Sequence, residues 1–276
     1  MVLCGTTIPL SFLGISIFLL LLIPSATPLS FKFPSSDLST SDLIQDGNVS
    51  ISSDVIDLTT NKRDANITSS YGRVRYKHPV RLWDNKTGIL TDFTTNLSFT
   101  INSMNNPNSG DGIAFFLVPN GSTFPGYPSG EHLGVFGYNE TENRVIAVEF
   151  DTYQNSLAGD PDYPHVGIDI NSTRSVNTAR LPSGIKYANK TNALISYNSS
   201  TKRLSVFWTY ADISIYNENS GLSYDVDLRN FLPEWVTVGI SASTGSFAEL
   251  HQIHSWEFNS SLEIKESNST VENWGT

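Results

Sequence analysis

Residues 149–165 read EFDTYQNSLAGDPDYPH and gather Glu149, Asp151, Asp160, Asp162 and His165 in one window, with no Lys or Arg between Arg144 and Arg174. The preceding run RVIAVEFD alternates as a strand. Val145, Ala147, Glu149 and Asp151 fall on one face, and Ile146, Val148 and Phe150 on the other. Two carboxylates then point the same way beside apolar neighbours, where unpaired they repel and are costly to desolvate. A distant Arg, solvation of the strand end or a bound cation could each answer that charge. HVGIDI reads as a second strand starting at His165, and the loop 152–164 can return the chain so that Asp160 and His165 meet Glu149 and Asp151. Three carboxylates, one imidazole and waters make an octahedral site for a first-row ion such as Mn2+. Oxygen ligands from Asp151, Asn155, Asp160 and a backbone carbonyl suit Ca2+, and Asp151 and Asp160 could bridge both ions. The Asp/Asn spacing and the missing central Gly exclude an EF-hand. On these residues alone, a metal centre and a solvated acidic loop stand level.

Hydrolysis is the rival chemistry. Glu-x-Asp on a jelly-roll strand is what one large group of β-glucan hydrolases uses, but there a further Glu follows as acid/base. Here Thr152, Tyr153 and Gln154 follow instead. Retaining hydrolysis needs two carboxylates about 5 Å apart across the scissile bond, and the second is missing at the expected place. HExxH, GxSxG, CxxC and Walker motifs are absent as well. No catalysis is expected.

The elements that must carry these side chains read as short strands. Period-two alternation puts Leu97, Phe99 and Ile101 on one face of TNLSFTI. It does the same for Leu204, Val206, Trp208 and Tyr210 of RLSVFWTY, and for Val236, Val238, Ile240 and Ala242 of EWVTVGISAS. Gly, Asn, Ser and Pro turns separate them, and no long amphipathic helix is found. Many such strands predict an all-β sandwich or jelly roll, which can exceed 200 residues as a single domain.

Residues 1–30 carry no charged side chain, and the apolar run Ile8–Ile23 ends in PSATP at 24–28. This predicts a secretory signal peptide over 1–30, cleaved between about 26 and 30, although the usual basic n-region is missing. A membrane anchor fits less well: the run is short for a bilayer span and no basic flank follows. The only cysteine, Cys4, falls inside that segment, so the expected mature chain has no disulfide and depends on its core. A net charge of −10 argues against nucleic acid, whose affinity comes from basic side chains. Eleven Asn-x-Ser/Thr triplets begin at Asn48, Asn66, Asn85, Asn96, Asn120, Asn139, Asn171, Asn189, Asn198, Asn259 and Asn268. They are glycosylation candidates that agree with a secretory route to the apoplast or vacuole. From Lys265 the chain is polar, and 265–276 is expected to be a tail beyond a single domain at 31–264.

The window extended to EFDTYQNSLAGDPDYPHVGIDINSTRS (149–175) resembles the legume (L-type) lectin family, which includes concanavalin A. Further similar segments are GRVRYKHPVRLWD (72–84), GDGIAFFLVP (110–119), LGVF (133–136), SYDVDLRNFLPEWVTVGISASTG (223–245) and HSWEF (254–258), all in family order. The resemblance implies a concanavalin A-like β-sandwich that binds mono- or oligosaccharides of glycoconjugates reversibly. It implies Glu149, Asp151, Asp160 and His165 as Mn2+ ligands, with Ser175 acting through a water. It implies Asp151, Asn155, Asp160 and the Tyr153 carbonyl as Ca2+ ligands. Asp162 has no ligand counterpart and reads as a solvated loop acid.

For the sugar, the resemblance implies Asp111 as carboxylate acceptor behind a cis peptide and Asn155 as amide. It implies Tyr153 against the apolar sugar face, backbone donors at Gly130 and Glu131, and a framing loop at Ser246 and Phe247. Hydroxyls that both donate and accept are well matched by such a pair. Gly110 stands where the family usually has Ala, and Glu131 adds an acid at the mouth. The segment from Gly245 to Trp256 equals the short loop of concanavalin A in length, which leans towards mannose/glucose over galactose. Weak single sites and the family's habit suggest a homodimer or homotetramer. A non-binding storage or defence relative and a truncated lectin-receptor ectodomain are the alternatives. The intact set of site residues counts against the first, and the absence of a span or kinase up to Thr276 confines the second to a truncated product.

Overall fold

In the computed structural model of the protein, residues 29–261 are described except 63–64, 125, 127, 138, 140–143 and 211–220. The expected signal up to residue 28, the tail 265–276 and the Asn268 triplet lie outside the described residues; Ser30, the last residue of the expected signal, opens the first strand. Strands in chain order are β1 Ser30–Phe33, β2 Leu43–Gly47, β3 Ser50–Ile51, β4 Ile56–Asp57, β5 Tyr71–Tyr76, β6 Val80–Arg81, β7 Phe93–Asn102 and β8 Gly112–Pro119. They continue as β9 Ile146–Asp151, β10 His165–Ile170, β11 Asn177–Arg180, β12 Thr191–Asn198, β13 Arg203–Tyr210, β14 Gly221–Asp225, β15 Trp235–Ser243 and β16 Leu250–Ser260. Helical turns among the described residues are short 3-10 pieces, and no helix there is long and apolar enough to cross a membrane.

The strands form two antiparallel sheets. One runs β14-β13-β12-β7-β16-β4-β3 with β1 added beside β16; the other runs β11-β10-β9-β8-β15-β5-β2 with β6 added beside β15. Their facing surfaces make the main core, in which Phe99 of the first sheet meets Phe150 of the second edge to face at 4.9 Å between ring centroids. Leu97, Phe99, Ile101, Leu204, Val206, Trp208, Val236, Val238, Ile240 and Ala242 all lie in that core, as their alternation requires, and Tyr210 packs on its margin. Burial of such side chains, about 25 cal/mol per Å2 of apolar surface, is what holds the sheets together.

The second sheet is also covered on its other face. Val145 and Ala147 join Phe116, Val118, Val135 and Phe136 in a smaller cluster under the segment 128–137, while Ile146, Val148 and Phe150 face the main core. This is why β8 and β9 read as nearly unbroken apolar runs. Glu149 and Asp151 continue the Val145–Ala147 row, so the same alternation carries two acids to the end of a buried face.

The triplet asparagines sort by place. Asn48, Asn66, Asn85, Asn120, Asn139, Asn189 and Asn198 are exposed, whereas Asn96, Asn171 and Asn259 are half-buried. Asn96 sits within β7, between Leu194 and Glu257 on the neighbouring strands.

Candidate functional site

Strand register assembles the acid cluster. Asp151 lies between Gly112 on β8 and His165 on β10, and Glu149 between Ala114 and Gly167. Ligating atoms of Glu149, Asp151 and His165 all fall within 4.8 Å of one another, and all three residues are buried. His165 Nε2 stands 3.0 Å from Glu149 Oε1. The Ser175 hydroxyl lies 2.7 Å from the same oxygen and 2.6 Å from Asp169 Oδ1. Gly167 is needed for this crowding, since a Cβ there would stand 2.0 Å from Ser175 Oγ and 2.4 Å from Glu149 Oε1. The loop then brings Asp160 in: its Oδ2 accepts from the Asn155 N–H at 2.6 Å. Asp162 is exposed, in keeping with its reading as a solvated acid.

The charge balance at this end is unmet by the chain. Burial, then the charges of Glu149 and Asp160, push the Asp151 carboxyl well above the usual carboxylate range. Burial and Glu149 do the same to Asp169, against a hydrogen bond from Ser175. Burial first, with Glu149 adding to it, pushes Asp160 up to about 6 even though the Asn155 N–H opposes the shift. Carboxylates behave this way when crowded without counter-charge, and a divalent cation inverts that logic. Oxygen-rich donors with one imidazole suit a hard or borderline ion. The residues fit the ions that the resemblance implies.

Beside the cluster lies an open cavity of about 350 Å3, lined by Gly110, Asp111, Ser129, Gly130, Glu131, His132, Tyr153, Asn155, Gly245, Ser246 and Phe247. Every residue expected at a sugar site is in that lining. The Gly110–Asp111 peptide is cis, as the resemblance implies. A Cβ on Gly110 would lie 2.5 Å from the Tyr153 Cβ, so glycine lets these two segments touch. Asp111 is 4 % exposed, yet its Oδ2 and the Oδ1 of Asn155 are buried with no hydrogen-bond partner. Burial, then the charges of Glu249 and Glu131, push Asp111 up to about 7. The rings of Tyr153 and Phe247 stand 5.6 Å apart at the cavity. Gly130 opens a short turn at a positive φ of 66°, but its own N–H is bonded to the Thr244 carbonyl at 3.2 Å. Donation from that turn therefore cannot come from Gly130 in this arrangement.

Three residues near the site escaped the sequence reading. Asp169 is fully buried beside Glu149. Its signal was available, because His165, Gly167 and Asp169 share one face of HVGIDI by the rule that paired Glu149 with Asp151. Lys186 donates to the Ser109 carbonyl at 3.0 Å, and its charge is felt by Asp111 and Glu249. It is the partial answer to the missing local cation. Glu249 is buried and accepts from Thr152; nothing local marks it.

A family model described as "Legume lectin domain" matches residues 28–274. "Agglutinin-2" of Cladrastis kentukea is 41% identical over 261 residues, covering 92% of this chain and 88% of the relative. A "Mannose/glucose-specific lectin" of Centrolobium tomentosum is 40% identical over 245 residues, covering 85% and 96%. Among solved structures, winged bean acidic lectin complexed with methyl-alpha-D-galactose is similar with a TM-score of 0.76 at 37% identity, covering 86% of this chain and 100% of that one. The metal-free form of lectin I-B4 from Griffonia simplicifolia gives a TM-score of 0.76 at 37% identity, covering 85% and 100%.

Proposed function

The chain belongs to the legume lectin family, and from that premise we propose that the cavity at its acid-rich end is the sugar site, with Asp111 as fixed acceptor and Asn155 as fixed amide. Legume lectins bind carbohydrate without catalysing its turnover. The observation that carries the residue assignment is the pair of unpartnered, buried oxygens, Asp111 Oδ2 and Asn155 Oδ1, in one cavity. Such groups are costly unless something outside the chain meets them. A sugar hydroxyl donates to Asp111, a second accepts from Asn155 Nδ2, and the Tyr153 ring offers an apolar surface.

Legume lectins in general bind calcium and manganese. In this chain Glu149, Asp151, Asp160 and His165, with Ser175 through a water, would hold Mn2+. Asp151, Asn155, Asp160 and the Tyr153 carbonyl would hold Ca2+. Bound cations would supply the missing positive charge and orient the Asn155 carbonyl oxygen, leaving Nδ2 towards the cavity. Phe247 and Ser246 frame the mouth. The backbone donor of the 130–131 turn falls to Glu131.

Within this function the mannose/glucose type is favoured. The loop after Gly245 has the short length described above, and the Centrolobium relatives are called mannose/glucose-specific and mannose-specific. Galactose is the second reading, because the similar winged bean protein was solved with a galactoside. The remaining parts of the proposal are a leader cleaved between about 26 and 30 so that Ser30 stays with the first strand, a lectin domain from there to 264, a tail over 265–276, delivery to the apoplast or vacuole, glycans on exposed triplets, and assembly into dimers or tetramers that multiply weak single sites.

Isothermal titration tests the mechanism. Methyl α-mannoside should bind the metal-loaded protein and not the EDTA-treated one. Asp111→Asn should abolish sugar binding while both metals stay bound. Undiminished binding after complete metal removal would overturn the mechanism, and tighter binding of methyl α-galactoside would decide for the second sugar class.

A further inference from the structure

A polar chain runs behind the cavity and reaches Asp111 from the core side. Thr152 is 2 % exposed. Its backbone N–H donates to the Asp111 carbonyl at 2.8 Å. Its hydroxyl lies 3.0 Å from that carbonyl and 2.5 Å from Glu249 Oε1. The same Glu249 oxygen meets His251 Nε2 at 3.0 Å, and His251 Nδ1 meets the Thr59 hydroxyl at 3.0 Å. Glu249, His251 and Thr59 are all buried, none lines the cavity, and none belongs to the acid–imidazole cluster.

Counting protons gives this chain a direction. A hydroxyl has one proton, and an ionised carboxylate only accepts. Thr152 O–H therefore goes to Glu249, at the shorter of its two contacts. His251 meets Glu249 through Nε2, and the Thr59 hydroxyl holds its other ring nitrogen, Nδ1. Thr152 is gripped by its hydroxyl, and its N–H is left aimed at the Asp111 carbonyl. Burial alone would raise Glu249, but His251, Thr152 and Lys186 outweigh it and hold the carboxyl below its usual value. A buried ionised group persists only where neighbours pay its desolvation, and a segment that needed only packing would carry an apolar residue here.

We propose that Glu249, acting through Thr152 and held by His251 and Thr59, is a positioning residue that fixes the Asp111 main chain in its sugar-accepting place. This rests on the reading of Asp111 as the sugar acceptor. Thr152→Val removes the hydroxyl at nearly constant shape, Thr152→Ser keeps it, and Glu249→Gln keeps shape without charge. On the metal-loaded protein, Thr152→Val should weaken methyl α-mannoside binding by about tenfold or more, the size expected for loss of a charge-assisted hydrogen bond. Glu249→Gln should weaken it as well, and Thr152→Ser should recover the parent affinity. Calcium affinity, read by displacement of Tb3+ luminescence, should stay at the parent value in all three.

Asp111→Ala separates the two ideas. If it binds sugar like the parent, the acceptor reading fails. If it abolishes binding while Thr152→Val and Glu249→Gln bind normally, the positioning role fails. That role also fails if the Ser variant is as poor as the Val variant, or if lost sugar affinity only follows lost calcium affinity. Should Thr152→Val not fold, Glu249→Gln decides by the same criteria.

Discussion

Acids are handled in two opposite ways at two places in this molecule. On β14 and the turn after it, Asp225 and Asp227 each have their own cation. Arg229 grips Asp227 with both arms at 2.9 and 2.6 Å while Lys202 adds a contact at 2.9 Å, and Arg203 grips Asp225 at 2.7 and 3.1 Å. The hydrogen bonds from Arg229 hold Asp227 well below the usual carboxylate range. At the other place, Glu149, Asp151, Asp160, Asp169 and Asp111 gather near His165 and the ammonium of Lys186, and four of them are pushed upward. The first arrangement is complete in itself. The second is complete only with charge from outside, which separates a binding centre from a structural ion pair.

The comparison breaks or stands most sharply at Asp151. Asparagine keeps an oxygen able to accept the Tyr153 N–H, now at 2.7 Å, while removing one buried charge. Metal-free Asp151→Asn should therefore melt a few degrees above the metal-free parent, since relief of like-charge crowding is worth kilocalories and each one moves Tm by about 2–4 °C at this size. It should lose the stabilisation by Ca2+ and Mn2+, and its sugar affinity should fall by about a hundredfold or more. Asp227→Asn should do the reverse, lowering Tm and leaving sugar affinity alone. Scanning calorimetry and titration calorimetry read both. A metal-free Asp151→Asn protein less stable than its parent would place Asp151 among the structural acids.

A second effect follows from pH. Asp111 and Asp160 have folded-state values of about 7 and about 6, against 3.8 for the ordinary carboxyl. Such groups bind more protons folded than unfolded, so stability is lost as pH rises from the unfolded value through the folded one. Metal-free protein should thus lose Tm between about pH 4 and pH 7, by about ten degrees. Saturating Ca2+ and Mn2+ should flatten the slope. Asp227 has the opposite sign: its stabilisation is present above the ordinary carboxyl value and fades only as pH falls below it. A metal-free profile that instead rises towards neutrality would count against the crowding.

What could be read from the chain alone divides along the same line. Alternation in TNLSFTI, RLSVFWTY and EWVTVGISAS is local, so the core residues were legible before any fold was known. Glu149 and Asp151 were legible for the same reason, and Asp160 and His165 because one short loop returns them. Asp169 obeys the same rule, but by spacing alone one acid near a strand end is indistinguishable from an ordinary polar residue. Glu249 and Thr152 are 97 positions apart. Their meeting depends on where the start of β16 lies beside the end of β9, which no local spacing encodes. Lys186 comes from a turn before β12, and only the packed sandwich shows which acids it serves. Period and loop length reveal partners that are neighbours along a strand or across one turn, and long-range polar contacts stay hidden.

The smallest effect is the one that sharpens the comparison. Arg203 and Asp225 both lie largely in solvent, with side chains 53% and 61% exposed. Geometry there is as good as anywhere in the molecule, yet water and salt screen the pair, and holding two long side chains together costs entropy. Arg203→Ala should therefore shift Tm by less than about two degrees, an amount that shrinks further in 1 M salt. Sugar and metal affinities should not move. A fall as large as that of Asp227→Asn would mean that close pairing, rather than burial, decides which acids matter. The contrast between the two regions would then rest on distance alone, and the crowded acids at the cavity would lose their claim to be different in kind.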